Sequence, residues 1–242
     1  KKPEQKAIAQ VLSDTDSLIQ ALEKKIAKKK HIKKGVMQKL LTPKEDWEVK
    51  AIKNIVSTPV TDGPHETPEF ISSGVPFLSV NNIVNNKIDK SALRYISKSD
   101  DTLYSKKCKP QKHDILLGKA ASVGKVAIVE DNWNFNVWSP LALIRLKSDI
   151  SPYFIYYMFQ TYELLSQIDG LTNSSSQGNI GMVDIEKLTI PIPKESELQE
   201  SIANVFINID KEIAQLEQKR SKYQLAKQGM MQQLLTGKIR LV

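Results

Sequence analysis

A single cysteine, Cys108, stands in 242 residues. It excludes an intramolecular disulfide and a thiolate metal cluster, and it fits a reducing cytoplasm. The three histidines, His31, His65 and His113, have no second His or Cys at metal-ligand spacing, so nothing argues for a bound metal. There is no run of 18 apolar residues, and so no membrane-spanning helix and no membrane partner are expected. No signal peptide is visible, and Lys1-Lys2-Pro3 is not a natural start, so the sequence is expected to begin inside a longer protein or at a cut boundary. No nucleophile-elbow pattern surrounds a serine. Nothing in the sequence argues for catalysis.

The sequence does contain one long segment written twice. Residues 5–44 read QKAIAQVLSDTDSLIQALEKKIAKKKHIKKGVMQKLLTPK, and residues 199–238 read QESIANVFINIDKEIAQLEQKRSKYQLAKQGMMQQLLTGK. The offset is 194 throughout, without a gap, and 18 of the 40 aligned positions are identical. Identical pairs include Gln5/Gln199, Ile8/Ile202, Ala9/Ala203, Asp16/Asp210, Gly35/Gly229 and the run Leu40-Leu41-Thr42/Leu234-Leu235-Thr236. Apolar residues step by three and four in both copies, for example Ile8, Val11, Leu12, Leu18, Ile19, Leu22 and Ile26 in the first. That spacing puts them on one stripe of a helix. Thirty-eight residues would span roughly 57 Å. A helix of that length with a narrow apolar stripe needs a partner, and its own copy is the nearest candidate, in an antiparallel coiled coil. Gly35 and Gly229 are expected to weaken their helices by roughly 1 kcal/mol each and to mark a bend or a close approach.

The net charge of +8 is unevenly placed. Residues 1–44 carry twelve lysines and four acids, residues 195–242 carry +1, and the stretch between them carries −1. The excess lies at Lys24, Lys25, Lys28, Lys29, Lys30, Lys33 and Lys34. It is either a solvated helix face or a ridge facing phosphate or an acidic partner.

Between the repeats the sequence reads as a mixed α/β domain. Pro43 helps stop the first helix. Residues 56–70 are turn-rich, with three prolines and an Asp-Gly pair. Strands are expected at 74–80, 114–117, 124–129, 141–146 and 188–190. Asn81-Asn82 and Asn85-Asn86 suggest a polar loop. Ser151-Pro152 opens an aromatic-rich helix containing Tyr153, Tyr156, Tyr157, Phe159 and Leu164, of a kind that belongs in a core. Residues 171–181 form a polar loop. The divisions are a long helix at 1–43, a domain at 44–194, and a second long helix with a C-terminal tail at 195–242.

Gly118 to Val126 has some likeness to a phosphate loop, but its spacing is one residue too long and Val126 stands where a magnesium-binding Ser or Thr belongs. A nucleotide-binding enzyme is thereby disfavoured, leaving a Gly-Lys hairpin or a backbone-phosphate contact. Three polar loops remain: 61–67, 119–125 and 173–179. They are rich in Ser, Thr, Asn, Gln, Lys and His, the side chains that contact base edges and phosphates.

The arrangement resembles the specificity subunit of type I restriction–modification enzymes, over essentially the whole chain. Pro191-Ile192-Pro193 leading into residues 197–203 is similar to that family's approach to its conserved helix. Leu234-Leu235-Thr236-Gly237-Lys238-Ile239-Arg240 is similar to its C-terminus. Asp62-Gly63-Pro64-His65-Glu66-Thr67-Pro68 followed by Gly74-Val75-Pro76-Phe77-Leu78 is similar to the opening of a target recognition domain, and Gly118-Lys119 with Gly124-Lys125-Val126-Ala127 matches another family stretch. Such subunits usually carry two recognition domains and two conserved helices. This chain has one domain between two helices, so it resembles a C-terminal half or a half-length subunit.

The resemblance implies a non-catalytic subunit that reads a few base pairs of double-stranded DNA in the major groove. Its helices act as a ruler to a second recognition domain, so that the target is bipartite; a half-site spacing near one turn, about 34–36 Å, suits a rigid spacer of this kind. It implies partners, namely methyltransferase and restriction subunits, and a homodimer through the long helices that would supply the second half-site. It implies that no cofactor resides in this chain, S-adenosylmethionine, ATP and magnesium being used by partner subunits, with the partner methylating adenine at N6. The expected base contacts are Thr61, Asp62, His65, Thr67, Ser174, Ser175, Gln177 and Asn179, and the expected phosphate contacts Lys119, Ser122 and Lys125. The rival reading is a coiled-coil interaction scaffold without DNA readout, favoured by the near-neutral middle domain.

Overall fold

The computed structural model describes residues 2–173 and 178–240. In chain order the elements are α1 (Lys2–Leu40), β1 (Glu48–Ala51), α2 (Ile52–Ile55), β2 (Thr61–Asp62), β3 (Val75–Leu78), a 3-10 turn (Val80–Asn82), β4 (Ile83–Val84), β5 (Lys87–Ile88), β6 (Arg94–Ile96), α3 (Lys98–Ser105), β7 (Ile115–Gly118), β8 (Val126–Ile128), β9 (Asn136–Val137), β10 (Leu141–Ile144), α4 (Pro152–Met158), α5 (Tyr162–Asn173), α6 (Met182–Lys187), β11 (Thr189–Ile192) and α7 (Ser196–Leu234). Two units result. One is formed by the residues up to Leu40 with those from Asn204 onward, and the other is Leu41–Ala203. No helix among the described residues is long and apolar enough to cross a membrane.

In the first unit α1 and α7 are 39 residues each and pack side by side, antiparallel. Ile19 and its repeat equivalent Ile213 are both buried, as are Leu22 and Ile26. Register is fixed by charge. Lys33 Nζ lies 2.7 Å from Asp210 Oδ1, and Lys227 Nζ lies 2.5 Å from Asp16 Oδ1. The offset of 194 carries Asp16 onto Asp210 and Lys33 onto Lys227, so these are one bridge seen twice across a local two-fold. A parallel pairing could not form both, because Asp16 and Lys33 are separated along the axis by about 25 Å.

Lys29 and Lys30 also reach across, to Glu212 and Glu217. Three of the seven ridge lysines therefore serve the helix pair, while Lys24, Lys25, Lys28 and Lys34 are exposed. Neither Gly35 nor Gly229 marks a close approach: an added Cβ would meet nothing within 4 Å, and the helices continue through both.

The second unit begins and ends on one antiparallel ladder, with Glu48 opposite Ile192 and Ala51 opposite Thr189. Pro191 is tolerated because a two-stranded ribbon has edges on both sides. A four-stranded sheet in the order β2-β10-β7-β8 is antiparallel throughout, and a three-stranded sheet, β6-β3-β9, contains one parallel pair, β3 with β9. The uninterrupted apolar runs of β7, β8 and β10 are fully buried, which is why they carry no alternation. Leu78, Leu116, Ala127, Phe135, Val137 and Leu143 share one core cluster. Each large apolar side chain there contributes about 1.5–3 kcal/mol.

The Asn81–Asn86 stretch is more ordered than a polar loop. The Asn82 side chain accepts from Ser79 N–H and donates to Asp89 O and Ala92 O, and Asn85 and Asn86, at φ 51° and 59°, close the two-residue hairpin between β4 and β5. The aromatic helix is core, with Phe154, Ile155, Tyr156, Tyr157 and Met158 buried. It is also shorter than the spacing suggested. The buried Thr161 hydroxyl donates to Met158 O and accepts from Leu164 N–H, so the chain breaks there and α5 starts afresh. Residues 171–173 of the expected polar loop are the end of α5. The domain also takes in the first turns of α7. Buried Gln199 accepts from Ser151 N–H at the α4 N-terminus and donates to Pro193 O, at 3.0 Å each.

The paired bridges predict a reciprocal pattern in thermal unfolding. Asp210→Lys lowers stability and Lys33→Asp in the same chain restores it, with a coupling of about 0.5–1 kcal/mol. Asp16→Lys with Lys227→Asp behaves alike but more weakly, since Asp16 is 47% exposed against 21% for Asp210. Zero coupling at both sites would refute the register.

Candidate nucleic-acid interface

Thr61 and Asp62 form β2 and pair with Leu143 and Ala142 at the sheet edge, so the loop that follows is anchored at its first residue. Gly63 then passes so close to β9 that a Cβ there would lie 1.7 Å from Val137 O; only glycine fits. Pro64 O accepts from Ser139 N–H, and Glu66 O accepts from the Trp138 indole. The second loop is the β7–β8 hairpin connection. It leads into a strand rather than a helix, so the Gly-Lys pairs form a hairpin and create no phosphate-binding helix terminus. Gly118 is required there, because a Cβ would sit 2.4 Å from Ser122 O. Ala121 holds a left-handed φ of 61° at the tip, a strain of order 1 kcal/mol.

These loops converge. Asp62 is fully buried, and its carboxylate gathers three basic side chains. Lys107 Nζ lies 2.5 Å from Oδ1, while His65 Nε2 and Lys119 Nζ lie 3.0 and 3.1 Å from Oδ2. The Lys119 contact to Oδ2 is an ion pair by distance, and neither contact to Oδ2 has the alignment of a hydrogen bond. The third loop joins through Ile180 N–H, which donates to Lys119 O at 2.9 Å. Burial pushes the Asp62 carboxyl up, but the close contacts and charges of Lys107 and Lys119 outweigh it and hold the carboxyl below its ordinary range.

The expected site residues divide accordingly. His65 is exposed at 67% of its side chain, and Thr67 and Asn179 are exposed. Thr61, Lys119, Ser122 and Lys125 are half-buried. Ser174, Ser175 and Gln177 lie outside the described residues. Asp62, expected to touch a base, is instead shut inside the domain, where it positions its three basic neighbours. A short Asp-Gly-Pro-His stretch reads as an exposed turn; only the long-range approach of Lys107 and Lys119 reveals its burial.

Sequence reasoning also passed over Lys106, Lys107, Lys109 and Arg145, which with Thr58 and Thr61 line a cleft of about 580 Å³ beside this cluster. Arg145 grips Asp114 with two hydrogen bonds of 2.9 and 2.7 Å, and Lys109 Nζ lies 2.6 Å from Asp101 Oδ1. Lys106 is exposed, and Lys107 is half-exposed with its amine on Asp62. The signal was present in the run Lys106-Lys107-Cys108-Lys109. Cys108 itself is buried, and burial first, then the charge of Asp62, pushes its thiol up to about 12, so it is inert at neutral pH.

The sequence model of the type I restriction modification DNA specificity domain matches residues 44–225. The chain belongs to that family. It is similar to the specificity subunit of the type I restriction enzyme MjaVIII from Methanocaldococcus jannaschii, 26% identical over 260 residues, covering 98% of this chain and 60% of that protein. The specificity subunit of type I restriction enzyme EcoBI from Escherichia coli is 26% identical over 170 residues, covering 69% of this chain and 35% of that one. The crystal structure of the S subunit of a type I restriction-modification system from M. genitalium shares the fold at a TM-score of 0.69 and 18% identity, over 97% of this chain and 61% of that one. The chain thus spans about 60% of the length of the MjaVIII subunit. The specificity domain of this chain holds the cationic cluster just described.

The Asp62 carboxylate gives a pH signature. Its folded pKa is lowered, so its stabilisation is present above the unfolded value near 3.9 and is lost as pH falls through the folded value. Asp62→Asn should therefore unfold at lower denaturant than wild type at pH 7, by on the order of 2 kcal/mol, and the gap should narrow below about pH 4. A gap independent of pH would show that the charge of Asp62 contributes nothing.

Proposed function

We propose that this chain is a DNA-recognition subunit that reads one half of a bipartite double-stranded target on behalf of a type I restriction–modification complex. The observation that carries the reading is the convergence of the 61–67 loop, the 118–125 hairpin and the 178–180 segment on one basic cluster. Membership of the specificity-domain family supports it. In this reading His65, Thr67 and Asn179, together with Thr61, Ser174, Ser175 and Gln177, face base edges, and Lys119, Ser122 and Lys125 face phosphates. Lys106 and Lys107 add to the phosphate set. Asp62 holds the cations in place and touches no base.

The chain has no chemistry to perform. Methyltransferase subunits dock on it and restriction subunits join them, in the cytoplasm. Those partners use S-adenosylmethionine, ATP and magnesium, and adenine N6 is the methylated atom. The scaffold alternative, a helix pair that binds proteins without reading DNA, leaves the basic cluster around Asp62 without a purpose.

Reading one half-site leaves the other to a second recognition domain, and the repeat supports a seat for it. Gln199, Ile202, Ala203 and Leu41 are buried in this chain, whereas their repeat equivalents Gln5, Ala9 and Leu235 are exposed and Ile8 is only half-buried. We propose that a second copy of the chain supplies that domain, in a homodimer through the long helices. Two identical readers across a two-fold axis give a palindromic split target.

Adenine-methylation mapping, in cells carrying this chain and its cognate methyltransferase subunit, tests both statements. The expected result is a new split motif that is palindromic. An asymmetric split motif would keep the recognition role and reject the homodimer. Absence of a new motif despite a stable complex would reject the recognition role.

A further inference from the structure

Arg94 lies on β6, at the edge of the three-stranded sheet, and its side chain is exposed. Most basic groups near the candidate interface have a carboxylate: Lys107 and Lys119 have Asp62, Lys109 has Asp101, and Arg145 has Asp114. Arg94 has none among the described residues. Its guanidinium instead sits in the corner between two aromatic rings, 4.5 Å from the centroid of Phe70 and 5.6 Å from that of Trp138. The two rings meet nearly at right angles, with an interplanar angle of 77°. Both belong to a cluster that includes Phe77 and Tyr104, whose rings lie 6.2 Å from Phe70 and 6.1 Å from Phe77 respectively, so the corner is backed by core.

The corner is tied to the recognition loop. The indole nitrogen of Trp138 donates to Glu66 O at 3.2 Å, between His65 and Thr67, and the next residue, Ser139, donates its N–H to Pro64 O. Arg94 is therefore carried on the same framework as the exposed residues of that loop, although it lies about thirty positions away in sequence.

We infer that Arg94 is a guanine-reading residue of this chain. The inference rests on the DNA-recognition role proposed above and names one base and one side chain within it. A guanidinium attracted to ring faces keeps its orientation without spending its N–H donors, because cation–π contact uses the π-cloud rather than hydrogen bonds. The donors remain in the plane of the group, as a rigid fork. That fork matches the paired acceptors of guanine, O6 and N7, in the major groove, and no other base edge there offers two acceptors side by side. A contact made only to phosphate would need charge but not this orientation, and lysine would serve as well. An arginine with no carboxylate partner among the described residues, held over two aromatic rings, is arranged for a planar, bidentate acceptor.

The test is selection of duplexes from a randomised DNA pool by the full chain bound to its cognate methyltransferase subunit, comparing wild type with Arg94→Ala, Arg94→Gln and Arg94→Lys. The wild type should select a motif with an invariant guanine in the half-site read by this domain. Arg94→Ala should make that position degenerate while leaving the others in place, a loss of between about fivefold and a hundredfold in preference. Arg94→Gln should move the preference toward adenine, whose N6 and N7 match an amide. Arg94→Lys, which keeps the charge over the rings, should fold as wild type and retain only a weakened guanine preference; it settles the matter if the alanine variant does not fold.

Two results would overturn the assignment while leaving the recognition role intact. One is an unchanged motif in a folded Arg94→Gln. The other is an equal loss on all sequences with a salt slope shallower by about one, which would make Arg94 a phosphate contact. Failure of the wild type to select any motif would overturn the recognition role, and the assignment with it.

Discussion

A carboxylate shut away from water needs cations around it, and the candidate interface is built on that requirement. Asp62 has no exposed side-chain surface, and Lys107, Lys119 and His65 all lie within 3.1 Å of its oxygens. They arrive from three separate parts of the domain: the stretch after α3, the β7–β8 hairpin, and the loop that Asp62 itself begins. One negative charge is thus met by two lysines and a histidine, and the surplus is positive and faces outward. Buried charge stabilises poorly when compared with a well-packed apolar alternative. What it does here is fix where flexible lysines lie before any anion arrives, so that less side-chain entropy is lost on binding.

The same economy of position governs the helix pair. A repeat paired antiparallel with itself must place equivalent residues across a local two-fold, and the bridges Lys33–Asp210 and Asp16–Lys227 do so. The symmetry is broken elsewhere: Ile26 is buried where the second copy has half-buried Arg220. Gln199 is buried with both halves of its amide satisfied by Ser151 and Pro193, while Gln5 is exposed. Identical residues at matched positions of the repeat are thus unequal in burial, because only the second copy runs out of the main domain.

The long helices, their antiparallel pairing and β7, β8 and β10 of the main sheet were legible in the sequence, because each is written as a local period or an uninterrupted apolar run, whereas β2 was hidden in a turn-rich stretch. The 119–125 connection was legible as a loop, and its approach to the 61–67 stretch was not. Asp62 illustrates why. Its neighbours in sequence are turn-formers, while the groups that bury it lie 45 and 57 positions away, and no local pattern reports such approaches. Arg94 was invisible for the same reason: its platform is assembled from Phe70 and Trp138, on either side of it in the chain. The break before α5 depended on one buried threonine hydroxyl competing for backbone partners, which helix periodicity does not sense.

The near-neutral charge of the stretch between the repeats bears on how such a reader would work. Nonspecific affinity for DNA comes from phosphate neutralisation, and a domain with a charge of −1 has little of it to spare. Asp101 and Asp114 consume Lys109 and Arg145 internally, so of the four basic residues that line the cleft Lys106 and Lys107 are the exposed ones. In the proposed role, one such domain would hold DNA weakly and discriminate mainly through base contacts. Tight binding then comes from linkage, since a second reader held at a fixed distance by a stiff helix pair acts at a high effective concentration once the first has bound. In the proposed role, a half-site that is weak alone would favour recognition of the two halves together, with their spacing part of the signal.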